Sequence, residues 1–399
     1  MSSKLSRCFY QLDNRVKNYA WGSRTALNQL FNIPNPDGQP QAELWMGVHP
    51  AGVSTINEQS QIKALSDVIA GDKCRILGTS TAERFGDLPF LLKILSAESA
   101  LSIQVHPQKA QAETGFWQQQ RQPQPHRAAS PDYNDTNHKP ELVYAITPFQ
   151  AMNGFREVDQ IIAHFKTLDI PAITAALDAL ITQPNADGLK LFFVTLMQLT
   201  PELCQQVVRQ LVSQASACFS PELATLIHNL NQSYPDDIGV FAPLLLNCIT
   251  LAPGEAMFLQ PGTLHAYVKG TAIEVMASSD NVLRAGLTSK KINLSELVLC
   301  TTFTSIKPND LLLRPSQTQE CFNYSVPVDD FRFCIFSNVE SRAITADSAE
   351  IILVISGVAT LHHASGEALI LNAGQSAFIP AFVGQFTLTC SGKVCRVYC

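Results

Sequence analysis

The chain lacks any apolar stretch approaching the roughly 20 residues that cross a bilayer, and its first residues contain no apolar core of a signal peptide. A phosphate-binding P-loop is absent, and so is a G-x-G-x-x-G motif followed by the expected acidic residue. The net charge of −6 gives no field that would attract nucleic acid or an anionic membrane. These absences argue against a membrane protein, a nucleotide-binding enzyme and a nucleic-acid partner. They predict a cytoplasmic protein.

The chain also lacks a disulfide framework that spacing would reveal. Its 11 cysteines are scattered, their number is odd, and several lie in apolar runs. This distribution is typical of reduced, mostly buried thiols, which is consistent with the cytosol.

What is present is a chain of 399 residues, long enough for two or three domains with buried cores. Residues 1–150 contain short strand-like segments separated by turn signals, and we expect buried strands at 88–95 and 101–105. The polar stretch 108–136 is expected to begin as a helix and to continue as a loop.

The pattern becomes helical from residue 158 to about residue 234. The segments Thr-Pro-Glu at 200–202 and Ser-Pro-Glu at 220–222 each combine an N-cap hydroxyl, a proline at the first helical position and an acidic residue in the first turn. These signals predict an all-helical module, inserted before the chain returns to strands near residue 239.

The strand-rich regions contain a faint internal repeat. Residues 251–259 resemble residues 371–379, and the alignment carried on without gaps sets Gln385 opposite His265. Many short strands with Gly and Pro turns suggest β-sandwiches or jelly rolls. We therefore predict two similar β modules, of which only the first keeps its metal ligand.

Three polar insertions into apolar strand-like runs carry the functional prediction. At the two-residue period of a strand, Ser102, Gln104 and His106 share one face, while Glu141 and His265 border two later apolar runs. Each residue alone could be an ordinary core or strand-edge side chain. Together, two imidazoles, a carboxylate and an amide oxygen would form an N/O site for a divalent metal such as zinc.

Several longer blocks resemble one known family, the type I mannose-6-phosphate isomerases of the cupin superfamily. The blocks are Asn18-Tyr-Ala-Trp-Gly22, Ala42-Glu-Leu-Trp-Met-Gly-Val-His-Pro-Ala-Gly52, Leu101-Ser-Ile-Gln-Val-His-Pro107, Asn137-His-Lys-Pro-Glu141, Gln260-Pro-Gly-Thr-Leu-His-Ala-Tyr267 and Glu274-Val-Met-Ala-Ser-Ser-Asp-Asn-Val-Leu-Arg-Ala-Gly286. The likeness extends from residue 18 to about residue 297, and the helical insert is its least distinctive part. Blocks in this order are far more specific than any single motif.

The resemblance implies an enzyme that interconverts mannose 6-phosphate and fructose 6-phosphate through an enediol(ate), with one Zn²⁺ per chain. It implies that the zinc ligands are Gln104, His106, Glu141 and His265. Such an activity would feed mannose metabolism and GDP-mannose synthesis. The implied partner is a small sugar phosphate, and we expect a monomer.

The resemblance also implies a fold class: mainly β with an α-helical insert, as two cupin-like jelly-roll β modules plus a helical domain. We predict a catalytic β domain from residues 1–154 and 236–310, and a helical insert at 155–235. A C-terminal β domain without metal ligands would occupy residues 311–399. We interpret this last domain as structural.

Four residues are candidates for the chemistry itself. Arg284 matches the arginine that the family assigns to its active site, where it would stabilise negative charge on the enediolate or bind substrate. Asp280 or Glu274 is a candidate carboxylate partner for Arg284. Lys139, Glu274 and Asp280 all remain candidates for the proton-transferring base.

The substrate's phosphate and sugar need further groups. Ser102 could supply a hydroxyl to the phosphate, and the local positive charge could come from Lys93, Arg284, Lys290 and Lys291. A lysine pair at 290–291 could equally be a solvated helix start. The resemblance implies that Trp21, Glu43 and Tyr267 line the pocket.

Two other function classes are compatible with parts of the sequence. An iron-dependent cupin oxygenase would favour two neighbouring histidines in the first motif, where Gln104 stands instead of one. A catalytically inactive sugar-phosphate-binding protein would keep the fold without the chemistry, and the set Lys139, Glu141, His265 and Arg284 argues against that alternative.

Overall fold

The structure is a computed structural model that describes residues 7–121, 131–318 and 320–399. Its strands are β1 (Tyr10–Asp13), β2 (Arg15–Lys17), β3 (Glu43–Met46), β4 (Thr55–Glu58), β5 (Gln61–Ala64), β6 (Phe90–Ala97), β7 (Ile103–Val105), β8 (Glu141–Ala145), β9 (Phe149–Phe155), β10 (Leu246–Leu251), β11 (Ala256–Leu259), β12 (His265–Ala277), β13 (Leu283–Gly286), β14 (Ser316–Thr318), β15 (Cys321–Tyr324), β16 (Arg332–Ala346), β17 (Glu350–His363), β18 (Ala368–Asn372), β19 (Ser376–Ile379) and β20 (Gly384–Tyr398).

The α-helices are α1 (Ala26–Phe31), α2 (Leu65–Gly71), α3 (Lys73–Leu77), α4 (Thr79–Phe85), α5 (Lys109–Arg121), α6 (Val158–Lys166), α7 (Pro171–Thr182), α8 (Ala186–Met197), α9 (Pro201–Cys218), α10 (Pro221–Ser233), α11 (Ala242–Leu245) and α12 (Leu294–Cys300). Short 3₁₀ turns lie at Ile238–Phe241, Pro308–Asp310 and Ala381–Val383. No helix in the described parts of the chain is both long and apolar enough to cross a bilayer.

Two antiparallel sheets organise the strands. One follows the order β10-β9-β12-β6-β3-β2, with β7, β8, β11 and β13 attached to it, and the other runs β14-β15-β16-β20-β17-β19-β1-β4-β5, with β18 beside β17. The N-terminal strand β1 pairs with β19, so this early segment completes the C-terminal sheet. The predicted fold class, mainly β with a helical insert, is confirmed.

Helices α9 and α10 begin where their N-cap signals predict. Thr200 Oγ1 accepts a hydrogen bond from the Leu203 amide at the start of α9, and Ser220 Oγ accepts one from the Leu223 amide at the start of α10. These side chains satisfy amides that lack a partner inside the helix. The predicted helix in the polar stretch is α5, and the loop expected after it lies largely at 122–130, outside the described residues.

The repeat predicted from sequence corresponds to two matching pieces of structure. β11 pairs with β8 so that Leu259 lies opposite Glu141, and β19 pairs with β17 so that Ile379 lies opposite Glu350. The turns that precede β11 and β19 contain Gly254 and Gly374, both with positive φ, at 98° and 83°. The register therefore makes Glu350 the C-terminal counterpart of Glu141.

Candidate metal centre

Three buried side chains on three strand segments converge in the first sheet. His106 Nε2 lies 3.1 Å from Glu141 Oε1, and His265 Nε2 lies 3.5 Å from Glu141 Oε2. The ligand-capable atoms of His106, Glu141 and His265 all lie within 4.8 Å of one another. The distances to Glu141 suit a single metal ion, because metal–ligand bonds of about 2.0–2.2 Å put neighbouring ligand atoms on a tetrahedral ion roughly 3.3–3.6 Å apart.

In both imidazoles, the nitrogen that does not face Glu141 contacts a backbone carbonyl oxygen. Nδ1 of His106 is 2.7 Å from the Asn281 carbonyl oxygen, and Nδ1 of His265 is 2.9 Å from that of Thr263. A carbonyl accepts only from a protonated nitrogen, so these contacts favour the tautomer with the proton on Nδ1. The Nε2 lone pairs are then available to a metal, as in the outer shells of protein metal sites.

The electrostatics of these residues also fit a metal. Burial, followed by the charge of Lys139, lowers the pKa of His106 to about 4, so its ring is neutral near pH 7. Burial alone would raise the pKa of Glu141, but Lys139 and His106 hold it well below its usual range. His106 Nε2 is buried and makes no hydrogen bond of good geometry with a described residue. A buried donor set of two neutral imidazoles and one carboxylate fits a divalent ion.

Gln104 lies beside this triad. Strand register sets it opposite His265 on β12 and opposite Arg284 on β13. Its Nε2 donates to Ser102 Oγ at 3.3 Å, which leaves the amide oxygen as the atom available to an ion. Gln104 therefore connects the metal triad, the predicted phosphate hydroxyl and the predicted catalytic arginine.

The cavity beside the triad brings together most of the predicted site residues. Its wall includes Glu43, Lys93, Ser102, Gln104, Lys139, Glu141, His265, Tyr267 and Glu274. A larger cleft of about 620 Å³ contains none of the predicted residues. Cavity size therefore does not locate the chemistry in this protein.

A buried charge cluster forms one wall of the cavity. Lys93 Nζ lies 2.7 Å from Glu274 Oε2 and 3.9 Å from Glu43 Oε1, and all three side chains are buried. Burial would lower the pKa of Lys93, but Glu274 and Glu43 raise it above its usual value. Burial raises the pKa of Glu274 although Lys93 opposes this effect. Lys93 therefore stays charged inside the pocket.

Two further contacts close on Glu141. Lys139 Nζ lies 3.1 Å from Glu141 Oε1, and the Tyr267 hydroxyl donates to Glu141 Oε2 at 2.9 Å. Burial and the neighbouring Glu141 raise the pKa of the Tyr267 phenol well above its usual value. Tyr267 is therefore a hydrogen-bond donor rather than a phenolate.

Asp280 has a partner that the sequence did not indicate. Its carboxylate lies 3.0 Å from Nε2 of the buried His49, and this hydrogen bond is the main cause of its lowered pKa. Since Glu274 pairs with Lys93, neither candidate carboxylate pairs with Arg284. The expected Arg284 partner was wrong, because the register of β6 and β12 sets Glu274 opposite Lys93.

Arg284 and Lys290 form a cationic edge near Gln104. No described residue makes an ion pair or hydrogen bond with the Arg284 guanidinium, whose pKa is lowered by burial. The charge of Arg284 is the main cause of the lowered pKa of Lys290, which is exposed. Two close cations without a carboxylate between them are a suitable place for an anion.

Trp21 is half-buried outside the cavity wall. It packs against the apolar cluster that contains Leu101 and Tyr267, and its ring stacks on Tyr19 with a centroid distance of 5.8 Å. Tyr19 carries a raised pKa, caused first by burial and next by Glu43. Tyr19 is thus close to the pocket, and only its place in the Asn18-Tyr-Ala-Trp-Gly22 block could have signalled it.

His49 and Asn281 contact candidate site residues, and the sequence analysis did not single them out. His49 lies within the Ala42–Gly52 block, and its ring packs edge-on against Trp45 at a centroid distance of 4.9 Å. Asn281 is fully buried, and its amide side chain binds the backbone of residues 134, 135 and 137 while its carbonyl holds His106. Both lie in blocks used for the resemblance, but no periodicity marks them.

Three models of known protein families match successive segments of this chain. The family model described as "Phosphomannose isomerase type I, catalytic domain" matches residues 9–158, and its "helical insertion domain" matches residues 166–246. The "Mannose-6-phosphate isomerase, cupin domain" matches residues 321–399.

Full-length relatives give the same result. Mannose-6-phosphate isomerase of Escherichia coli (strain K12) is 43% identical over 390 residues, covering 97% of this chain and 99% of the relative. The Homo sapiens protein of the same name is 37% identical over 381 residues, covering 87% of each chain. A crystal structure of mannose 6-phosphate isomerase bound with zinc and yttrium matches with a TM-score of 0.92 and 41% identity, covering 98% of this chain and 99% of that chain. The chain therefore belongs to the type I phosphomannose isomerase family.

Proposed function

We propose that this protein interconverts mannose 6-phosphate and fructose 6-phosphate with one Zn²⁺ per chain. The observation that carries the proposal is the buried triad of His106, Glu141 and His265, in which His106 Nε2 lies 3.1 Å from Glu141 Oε1 but makes no hydrogen bond of good geometry with a described residue. Family membership supplies the substrate and reaction class. The metal's identity as zinc is supported by the N/O ligand set and by the zinc-bound relative.

In this proposal His106, Glu141, His265 and Gln104 hold the ion. With a single carboxylate among four ligands, a site holding a divalent ion carries a net charge of +1. Such an ion would polarise a sugar oxygen as a Lewis acid and would help to fix the substrate's orientation. The Tyr267 hydroxyl, which donates to Glu141 Oε2, would orient that carboxylate.

The cationic edge would take the phosphate group or the developing oxyanion. Arg284 and Lys290 supply positive charge without a carboxylate partner among the described contacts, and Ser102 supplies a hydroxyl on the strand that carries Gln104. An arginine fork can bind a phosphate or an enediolate through two parallel hydrogen bonds. This strand would then set the distance between the metal and the substrate's phosphate.

The isomerisation transfers one proton from C2 of the aldose to C1 of the ketose. The carbonyl moves from C1 to C2 as O1 gains a proton and O2 loses one, so no external oxidant or reductant is needed. Lys139, Glu274 and Asp280 are the candidate bases. The pKa of Glu274 is raised by burial, whereas the pKa of Asp280 is lowered by its hydrogen bond with His49, so the two carboxylates would differ in basicity.

The remaining predicted residues would shape the sugar site. Lys93, Glu43 and Tyr267 line the cavity, and Trp21 supports the cluster behind Tyr267. We further propose a cytoplasmic monomer whose reaction serves mannose metabolism and GDP-mannose synthesis.

The proposal is tested by an assay that follows fructose 6-phosphate formation from mannose 6-phosphate, combined with metal analysis of the same preparation. Isomerisation that is lost with a chelator and restored by Zn²⁺ is the expected result. Substrate binding without turnover would instead indicate the inactive binding protein. Oxygen consumption that requires iron would indicate the oxygenase, and either result would contradict the proposal.

A further inference from the structure

The strand β8 has two faces with different neighbours. Glu141 and Val143 face the metal centre and the apolar cluster around Tyr267, whereas Leu142 and Tyr144 belong to a core shared with the C-terminal β domain. This division follows from the two-residue period of a strand. The strand that supplies the carboxylate ligand is therefore supported from behind by the other β domain.

Two aromatic side chains of the C-terminal domain pack against Tyr144, which lies on β8 three residues after Glu141. The ring of Tyr144 lies 5.8 Å from the ring of Tyr324 and 5.8 Å from that of Phe333, between ring centroids. The Tyr324 hydroxyl donates to the Gly254 carbonyl oxygen at 2.9 Å, in the turn before β11. Tyr324 thus contacts both β8 and the turn before β11, and Phe333 packs against Tyr144 on β8.

A hydrogen bond holds the chain three residues before Glu141. His138 Nε2 donates to Asp330 Oδ2 at 2.9 Å, across 192 residues of sequence. The Asp330 side chain is 6% exposed and that of His138 is 23% exposed. A carboxylate this deeply buried needs a hydrogen-bonded partner, because an unpaired charge is costly in a dry environment.

Asp330 is itself held firmly in the C-terminal domain. Cys399 Sγ donates to the Asp330 carbonyl oxygen at 3.6 Å, and the Arg332 guanidinium donates to the carbonyls of Val328 and Phe331 on either side. Phe331 is fully buried. The carboxylate of Asp330 is therefore presented from a rigid turn rather than from a free loop.

Asn137, the residue before His138, holds this segment against the loop that follows β12. Asn137 Nδ2 donates to the Ser278 carbonyl oxygen, and the Asn137 carbonyl accepts from Ser279 Oγ and Asn281 Nδ2. The Ala277 amide donates to the Pro140 carbonyl oxygen at 3.1 Å. The segment 137–141 thus lies between the loop after β12 on one side and Asp330 on the other.

We propose that Asp330 is a positioning residue, which fixes the placement of Lys139 and Glu141 by holding His138 from the C-terminal domain. The C-terminal β domain, which supplies no metal ligand in this account, thereby contributes to turnover through one hydrogen bond. The kinetic part of this inference rests on the proposed isomerase function. Its physical basis is that a shift of about 1 Å in a catalytic group can lower a rate by about 100-fold.

The test compares Asp330→Ala and Asp330→Asn with the matched control Asp329→Asn in the full-length, zinc-loaded protein. Asp329 is the adjacent carboxylate, is exposed, and contacts Arg84 and Arg332 instead of His138. We expect Asp330→Ala to lower kcat for mannose 6-phosphate about tenfold while KM changes less than about twofold. Asp330→Asn keeps an acceptor oxygen and should restore kcat to within about threefold of the wild type. Asp329→Asn should match the wild type.

Amide hydrogen exchange gives a readout that needs no catalysis. Asp330→Ala should speed exchange across residues 138–145, with the helical segment unchanged, and Asp329→Asn should leave both unchanged. If Asp330→Ala is recovered unfolded, Asp330→Ser replaces it, since a serine leaves room for a bridging water. If the wild-type protein does not isomerise the substrate, the proposed function fails, but the exchange data still test the positioning role.

Two results would overturn the inference. One is a kcat for Asp330→Ala or its serine replacement within twofold of the wild type, with unchanged exchange at residues 138–145. The other is a loss of kcat in Asp330→Asn as large as in Asp330→Ala, because a residue that only accepts a hydrogen bond would tolerate asparagine.

Discussion

The two β domains place different side chains at equivalent strand positions. In the first domain Glu141, opposite Leu259, has imidazole, ammonium and phenol groups around it. In the second domain Glu350, opposite Ile379, is fully buried and pairs with the guanidinium of Arg396 through two hydrogen bonds. The same carboxylate position thus holds a candidate metal ligand in one domain and a closed ion pair in the other.

The register extends this comparison to the neighbouring strands. Val143 on β8 lies opposite Glu274 on β12, and Ile352 on β17 lies opposite Arg396 on β20. Glu274 and Arg396 therefore occupy equivalent positions. In the first domain Glu274 pairs with Lys93, and in the second domain Arg396 pairs with Glu350. The two domains thus differ in the side chains at equivalent positions of a shared scaffold, and this difference would determine which of them can bind a metal.

The largest expected effect is the loss of the metal centre. His265→Ala removes one of two imidazoles and should abolish stoichiometric zinc binding and lower kcat/KM by more than about 1,000-fold, since the metal supplies several kcal/mol of charge stabilisation. Metal analysis and the isomerase assay measure both. Gln385→Ala, at the exposed aligned position, is the control and should change neither. A metal-free yet fully active His265→Ala protein would exclude the zinc centre.

A second substitution tests the closed ion pair of the C-terminal domain. Arg396→Leu leaves Glu350 buried without its partner and should lower the free energy of unfolding by about 3–5 kcal/mol. Denaturant unfolding measures this change, and kcat per folded chain should stay near that of the wild type. The double variant Glu350→Leu with Arg396→Leu should recover most of the lost stability. If the double variant is less stable than Arg396→Leu alone, the pair has another role.

A smaller effect is expected from Arg284 of the first domain, whose guanidinium has no ion-pair partner among the described residues. Arg284→Gln should lower kcat about 30-fold with zinc content unchanged, because a neutral amide stabilises developing negative charge less well than a guanidinium. Steady-state kinetics and metal analysis check this. Arg342→Gln, at an exposed position on β16, should leave kcat unchanged. Unchanged turnover in Arg284→Gln would remove this residue from the mechanism.

The smallest effect is expected from alanine substitutions in the two equivalent turns, at Gly254 before β11 and at Gly374 before β19. An alanine at Gly254 would have strained backbone but its Cβ would be 3.8 Å from the nearest neighbour, whereas a Cβ at Gly374 would lie 2.5 Å from the Phe31 carbonyl oxygen. Gly254→Ala should therefore cost about 1 kcal/mol of unfolding free energy, and Gly374→Ala about 2–3 kcal/mol. Thermal and denaturant unfolding measure both. Equal costs would show that the two turns do not differ in packing.

Local sequence rules predicted the parts of the structure that depend on neighbouring residues. The alternation at Ser102 and Gln104 and the N-caps at Thr200 and Ser220 are all visible within a few residues. Each rests on backbone periodicity or on one hydrogen bond close in sequence.

The missed contacts join distant parts of the chain. His49 contacts Asp280 and His138 contacts Asp330, each across at least 192 residues, and no periodicity in the sequence indicates such pairs. The prediction that Glu274 pairs with Arg284 was wrong for the same reason. Only the register of β6 against β12 shows that Glu274 lies opposite Lys93 and forms its ion pair there. Long-range pairing, rather than local propensity, decides these contacts.

The most direct test of the central claim is a zinc titration of chelator-treated protein, followed by the isomerase assay at each step. We predict that activity with mannose 6-phosphate rises in proportion to bound zinc and levels off at one zinc per chain. Full isomerase activity in the metal-free protein would contradict the account, and so would one tightly bound zinc per chain without any isomerisation.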